Sequence, residues 1–359
     1  MDYSKFKENF VEDVKRDLYE SGIAAVEIST YRMEKMNETY DAMSVRPEGG
    51  SIGVNFRIEN YFEAYADGIP YQDVVKKAVL DIDEAVIDMP EFDLKLLGDY
   101  EKVKEKLSLE VVSAERNAEI LKTVPHKLIE DMAVVYKINL ELGQKEGATA
   151  LVNNFMLEMY GVSADELHRD AERNAAIIKP VILRGIGAMM KSMMSPEEAD
   201  FFDVQDRGDD EVMYVATVPD KTKGAGVLAY DAFMDFAANR LGGDFFVLPS
   251  SVHEILLVKD DGSMSYRELK EMVVEINASE VSPEEQLTDS VYHYDSKNKV
   301  FELGEKFEKR RNQELVSGKA EKNSVLKDLK EKQTAVNEKP VEAKEIKNPV
   351  SKNRGGKEL

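Results

Sequence analysis

Ser250, Ser251, His253 and Glu254 lie close together at the break between two apolar runs in LGGDFFVLPSSVHEILLV, residues 241–258. The residue types suit two chemistries. A serine hydroxyl near an imidazole is the start of a nucleophile–base pair, and an imidazole beside a carboxylate is the start of a metal site or an oriented base. Loop residues held by a rigid scaffold are where such groups tend to act. The spacing argues against both chemistries. A zinc-protease H-E-x-x-H motif would need its second histidine where Leu257 stands, and neighbouring residues of an extended chain point to opposite faces. No G-x-S-x-G elbow surrounds the serines. The spacing favours a Pro-Ser-Ser turn whose hydroxyls bond nearby amides, with His253 a satisfied histidine just inside the rim.

A hydrolase built on this stretch would have to draw on distant residues. His126 and Asp131, in VPHKLIEDMAVVYKI, are the candidates. The catalytic candidates are therefore Ser250, Ser251, His253, Glu254, His126 and Asp131. Convergence of His126 and His253 with a carboxylate in one pocket would favour an enzyme; the two sitting apart and buried would weigh against one. No metal and no cofactor is expected, because the four histidines (126, 168, 253 and 293) are far apart in the chain and cysteine is absent. Gly185-Ile186-Gly187 begins like a dinucleotide fingerprint, but Met190 occupies the third glycine position. Lys221-Thr222-Lys223-Gly224-Ala225-Gly226 lacks the order of a phosphate loop and reads as a flexible connection. Met189, Met190, Met193 and Met194 crowd one short helix, where core filling is the commoner use.

The elements that must position these residues follow from periodicity. Phe6, Phe10, Val14 and Leu18 recur at steps of four in a helix over Tyr3–Ser21. Ile23–Tyr31, Tyr40–Arg46 and Ser51–Ile58 read as strands, with the last two joined at Pro47–Gly50. Helices over Glu59–Ala66 and from Gly68-Ile69-Pro70 to Met89 complete an N-terminal lobe. Beyond it, strands are expected at Leu107–Val112, Met132–Ile138, Val181–Leu183, Val212–Val218, Val227–Tyr230, Phe245–Leu248, Ile255–Val258, Val291–Tyr294 and Val300–Leu303. Helices are expected at Ala114–Thr123, before a break at Pro125-His126, and at Ala150–Tyr160, Ser163–Ile178, Gly185–Met194 and Ala232–Leu241. A further helix opens with the Ser265/Glu268 capping pair.

Composition sets the class. The chain has 359 residues, 43% hydrophobic and 33% charged, and carries a net charge of −22. No apolar run approaches a membrane span, and MDYSKFKENF is not patterned as a secretory signal, so a cytoplasmic protein with no membrane partner is expected. From Glu305 onward there are 15 basic and 10 acidic residues, leaving a strongly acidic body before them. Such a body repels phosphate backbones, so nucleic acid is expected only as a weak contact of the basic tail. The tail is too polar to bury a core and is expected to be disordered, above all over Gly318–Leu359.

Several segments in one order carry a resemblance: VRPEGGSIGVNFRIENYFEAYADG, VPHKLIEDMAVVYKI, NNFMLEMYGVSADELHRDAERNAAIIKPVI, and GGDFFVLPSSVHEILLV followed by VSPEEQLTDSVYHYD. Over residues 1 to 304 the chain resembles the bacterial family catalogued as domain of unknown function 5688. The family pattern continues from Pro-His with Arg, where Lys127 stands here. The resemblance implies a cytoplasmic protein of Gram-positive anaerobes, carried in the accessory gene content of mobile elements. It brings no activity, cofactor or catalytic residue.

The expected architecture is α+β: mixed sheets packed with amphipathic helices in two lobes, 1–93 and 94–304, plus a disordered charged tail, 305–359. The expected function is a non-enzymatic binding or interaction protein with a protein partner. The alternative is a hydrolase around Ser250, Ser251, His253 and Glu254.

Overall fold

The computed structural model describes residues 1–22, 26–50, 52–87, 94–140, 149–202 and 204–313. Helix α1 (Tyr3–Glu20) starts where the Asp2 carboxylate accepts the Lys5 amide at 2.9 Å, and it buries Phe6, Phe10, Val14 and Leu18 at the expected four-residue step. Strands β1 (Val26–Lys35), β2 (Glu38–Pro47) and β3 (Val54–Arg57) form an antiparallel sheet in that order. Gly50 donates to the Pro47 carbonyl at 2.8 Å in the turn that leaves β2. Helices α2 (Ile58–Ala66) and α3 (Tyr71–Ile87) cover one face of this sheet, and Phe6, Phe10, Met43, Val45, Ile58, Val75 and Ile82 share one core.

The rest of the body holds two sheets. After α4 (Tyr100–Val103) come β4 (Leu107–Ser113), α5 (Ala118–Leu121), β5 (His126–Ile129), β6 (Met132–Asn139) and β7 (Thr149–Leu151), whose four strands form one sheet. Helices α6 (Asn154–Tyr160) and α7 (Ala164–Ile178) lead to β8 (Ile182–Gly185), α8 (Ile186–Met193), α9 (Pro196–Phe201) and β9 (Met213–Thr217). Then come α10 (Phe233–Leu241), β10 (Phe245–Leu248), β11 (Ile255–Lys259), α11 (Tyr266–Ser279), β12 (Tyr292–Asp295) and β13 (Val300–Leu303). The second sheet runs β13-β12-β10-β11-β9-β8. Both sheets contribute to one core that includes Val111, Tyr136, Leu167, Tyr214, Phe233, Phe245, Leu257 and Tyr292.

The fold class is α+β, as the helix and strand patterns require. The sheets are antiparallel rather than mixed: among the described residues every strand pairing is antiparallel. The connections are hairpins and helical excursions that return antiparallel, where a parallel pair would need a crossover. Four local expectations change. The helix expected over Ala150–Tyr160 splits into β7 and α6, because Asn153 caps the helix by accepting the Met156 amide at 2.8 Å. The helix expected over Ala114–Thr123 shrinks to α5. The break at Pro125-His126 is the start of β5. Val227–Tyr230 is not a strand; Gly224–Ala229 form a buried 3-10 turn.

Met1–Lys306 form one compact unit. Within it, no described strand of the first sheet pairs with either of the others. The β1–β2 hairpin reaches the second core region through its turn residue Asn37, which adopts φ 64°. Its amide donates to Asn117 Oδ1 at 2.7 Å, and its side-chain amide donates to the carbonyls of Glu284 and Gln286 at 3.0 and 3.2 Å. Of the boundary expected between Met89 and Tyr100, residues 89–93 lie outside the described residues, and the rest is the 3-10 turn Leu94–Gly98 leading into α4. Of the second unit, Phe307–Leu359, residues 307–313 are described and helical, so the tail boundary drawn at 305 falls inside helical residues 304–313. The tail expected to be disordered lies, from 314 onward, outside the described residues.

Candidate functional site

The apolar runs on either side of the central stretch form β10 and β11, paired antiparallel from Phe245 opposite Lys259 to Leu248 opposite Leu256. This places residues 249–254 at one sheet end, where three chain segments interlock. Val252 donates to the Glu285 carbonyl at 2.9 Å, Leu287 donates to the Ser250 carbonyl at 3.0 Å, and Ala225 donates to the Val252 carbonyl at 3.1 Å. Thr217 Oγ1 donates to the His253 carbonyl at 2.8 Å. Gly224 is packed so closely on this point that a Cβ there would lie 2.3 Å from the His253 carbonyl oxygen and 2.4 Å from Thr217 Oγ1. Only a residue without a side chain fits. The segment read as a flexible glycine-rich connection is therefore the clamp over His253.

The imidazole is committed on both sides. The Lys223 amide donates to His253 Nδ1 at 3.3 Å, and His253 Nε2 lies 3.2 Å from Glu285 Oε1. A neutral ring that accepts at Nδ1 carries its proton on Nε2 and donates it to the carboxylate. No lone pair remains to take a proton from a serine. Ser251 Oγ in turn accepts the amide of His253 at 3.0 Å, the local turn bond that its position predicts. Ser250 and Glu254 are half-buried, and the carboxylate that meets His253 is Glu285, not Glu254.

His126 and Asp131 are engaged elsewhere. His126 is exposed at the start of β5, its Nδ1 3.0 Å from the Val124 carbonyl. Among the described residues no hydrogen bond or ion pair joins it to residues 250–254. Asp131, in the β5–β6 turn, accepts from Ser290 Oγ at 2.8 Å, Thr288 Oγ1 at 3.2 Å and the Tyr292 hydroxyl. Burial, and then the Asp131 charge, push the Tyr292 phenol well above its usual range, so it stays a donor. Asp131 thus staples the β5–β6 turn to β12.

A second histidine cluster escaped the sequence reading. His168 is buried on the inner face of α7. Lys127 Nζ lies 3.2 Å from its Nε2, and the Tyr136 hydroxyl 3.2 Å from its Nδ1. The arrangement is consistent if the lysine donates to Nε2 and the ring proton sits on Nδ1, facing Tyr136. Burial first, and the neighbouring Lys127 cation second, hold the His168 pKa below its ordinary value. The signal in the sequence was helical: His168 shares a face with Ala171 and Ala175, so a polar side chain had to enter the interior there.

Among the described residues no group of three or more His, Asp or Glu side chains is arranged to hold a metal ion, and no helix is long and apolar enough to cross a membrane. The glycines of Gly185-Ile186-Gly187 have a packing cause instead of a nucleotide: a Cβ at Gly185 would lie 2.9 Å from Glu211 Cγ.

No curated protein and no solved structure matches this chain. The model of the family of unknown function (DUF5688) matches residues 3–296, a span that takes in all three sheets up to β12 together with the interlocked loops around His253. The chain belongs to that family.

Proposed function

We propose that the protein is a non-enzymatic binding or interaction protein that acts on a protein partner in the cytoplasm. The observation that carries this reading is the state of His253: Lys223 donates to one ring nitrogen and Glu285 accepts from the other, so the group best placed to serve as a base is used to lock three segments together. Asp131, the other candidate carboxylate, is equally committed to three hydroxyls. The segment 284–290 supports the same reading, because it bonds Asn37 of the β1–β2 turn as well as Arg116, Asp131 and His253. A rigid junction of that kind holds surfaces in register for a partner.

The rival reading is a hydrolase using Ser250 or Ser251 with His253. One variant separates them. In His253→Ala the Lys223 amide and the Glu285 carboxylate lose their partner, which costs about 1–2 kcal/mol in stability. The expected result is a lower melting midpoint and an unchanged, background rate of chromogenic ester hydrolysis. An unchanged midpoint, with an ester hydrolysis present in the native chain and absent in the variant, would establish the hydrolase instead.

A further inference from the structure

Helices α8 and α9 form a hairpin that is anchored at its base and apolar at its tip. At the base, the Gly187 amide points at Glu211 Oε2, 3.4 Å away on a buried carboxylate. A Cβ at Gly187 would lie 1.9 Å from the Gln205 carbonyl oxygen, so the returning chain crosses directly against the start of α8. Helix α8 rests on β8 and β9, and β8 is the edge of its sheet.

The tip is different. Helix α9 spans Pro196–Phe201 and is held by a capping box between Ser195 and Glu198. A helix this short does not stand by propensity alone. Its caps hold Phe201 and Phe202 in water, 83% and 63% exposed, with the rings edge to face at 5.1 Å. Met193, 68% exposed, and the exposed Met190 stand on α8, the helix that packs against α9. Helix α8 fully buries only Gly187; of its methionines, Met189 and Met194 are half-buried and Met190 and Met193 are exposed. Contiguous exposed apolar surface rimmed by polar groups marks an interaction site.

The rim fixes the chemistry of the partner. Residues 184–211 hold eight acidic and three basic side chains. Glu197 and Asp200, on α9 beside the phenylalanines, are exposed and, among the described residues, form no ion pair; the exposed Asp206 and Asp210 follow at the base of the hairpin. We propose that the tip of the α8–α9 hairpin docks a basic amphipathic helix of a partner protein. The apolar stripe of that helix covers Met190, Met193, Phe201 and Phe202, and its lysines and arginines meet the acidic rim. Unbranched methionine side chains adapt to helices of differing sequence. The same rim repels an anionic membrane, and it repels a second copy of itself placed face to face.

This inference rests on the interaction reading but fails separately from it. The test is a fluorescence-anisotropy titration of the full chain against a labelled synthetic helix of leucine and lysine, with leucines at i, i+3, i+4 and i+7, and against its leucine–glutamate counterpart. The native chain is expected to bind the lysine peptide saturably and not the glutamate peptide. The double variant Phe201→Ser/Phe202→Ser, whose exposed rings make folding insensitive to the change, is expected to bind at least about tenfold more weakly at unchanged melting midpoint. Glu197→Gln/Asp200→Asn is expected to weaken binding at low salt and flatten its salt dependence. Equal binding by the serine double variant would show only general attraction to an acidic body and would overturn the proposal. So would flotation with anionic vesicles, or dimerisation in sedimentation, that depends on Phe201 and Phe202. No peptide binding would exclude this partner while leaving the His253 test of the interaction reading intact.

Discussion

His253 and His168 make opposite use of the same side chain. His253 sits half-buried among loops, in the stretch whose composition looks most like chemistry, and its ring is spent on a backbone amide and a carboxylate. His168 sits buried on a helix face that looks like ordinary core, and its ring lies between a lysine and a tyrosine. A histidine beside Ser and Glu in sequence became a structural pin. A histidine four residues ahead of Glu172 on an amphipathic helix became the group with the shifted pKa. Neighbours in space, not in sequence, decide what an imidazole can do.

The largest effect expected is at Gly224, which makes the His253 clamp possible. Gly224→Ala forces a methyl group against the His253 carbonyl and Thr217 and costs about 3 kcal/mol. Gly226→Ala, two residues on, meets nothing nearer than Leu109 at 3.5 Å and is expected to be close to neutral. Equal melting midpoints for the two variants would show that the clamp does not constrain the chain. Next comes His168→Ala, which leaves the Tyr136 hydroxyl and the Lys127 ammonium facing a void and costs about 2 kcal/mol by denaturant titration. His253→Ala, at a half-buried site that water can enter, is expected to cost less. If the order of these two reversed, burial would not be what separates the two histidines.

Much of the scaffold was legible because it rests on periodicity. The α1 stripe, the β10–β11 pair and the Ser265/Glu268 cap follow from local spacing alone. The errors share a cause. Val227–Tyr230 has strand composition, but Gly224–Ala229 form a buried 3-10 turn that starts where Gly224 packs against His253 and Thr217. Ala150–Tyr160 has helical composition, but its first residues complete the sheet beside β6. In both places a tertiary partner overrode propensity. The site was legible only in part for the same reason: Ser251, His253 and the turn were found, whereas Glu285, Lys223, Thr217 and the Lys127–His168–Tyr136 chain come from segments far apart in sequence.

The smallest expected effect is also the sharpest test of the contrast. Burial and Lys127 depress the His168 pKa in the folded chain, while Glu172, Asp231 and Asp165 partly oppose them. In the unfolded chain the group titrates near about 6.5. Above that pH both states hold a neutral ring, and His168 contributes nothing to the pH dependence. Below it the unfolded chain takes up a proton that the folded chain refuses, so stability falls as pH drops from about 6.5 toward the lower folded value. Carboxylates held below their ordinary values, such as Asp41 and Asp220, also lose stability on acidification, but they are common to any His168 variant. The measurement is therefore a difference: melting midpoints of the native chain and of His168→Gln at intervals from about pH 7.5 to about pH 5. The variant is expected to melt lower at the alkaline end, and the gap is expected to narrow toward the acid end, because glutamine has no proton to refuse. A gap that stays constant across the range would mean that His168 carries the same charge in both states. The Lys127–His168–Tyr136 chain would then contribute packing alone.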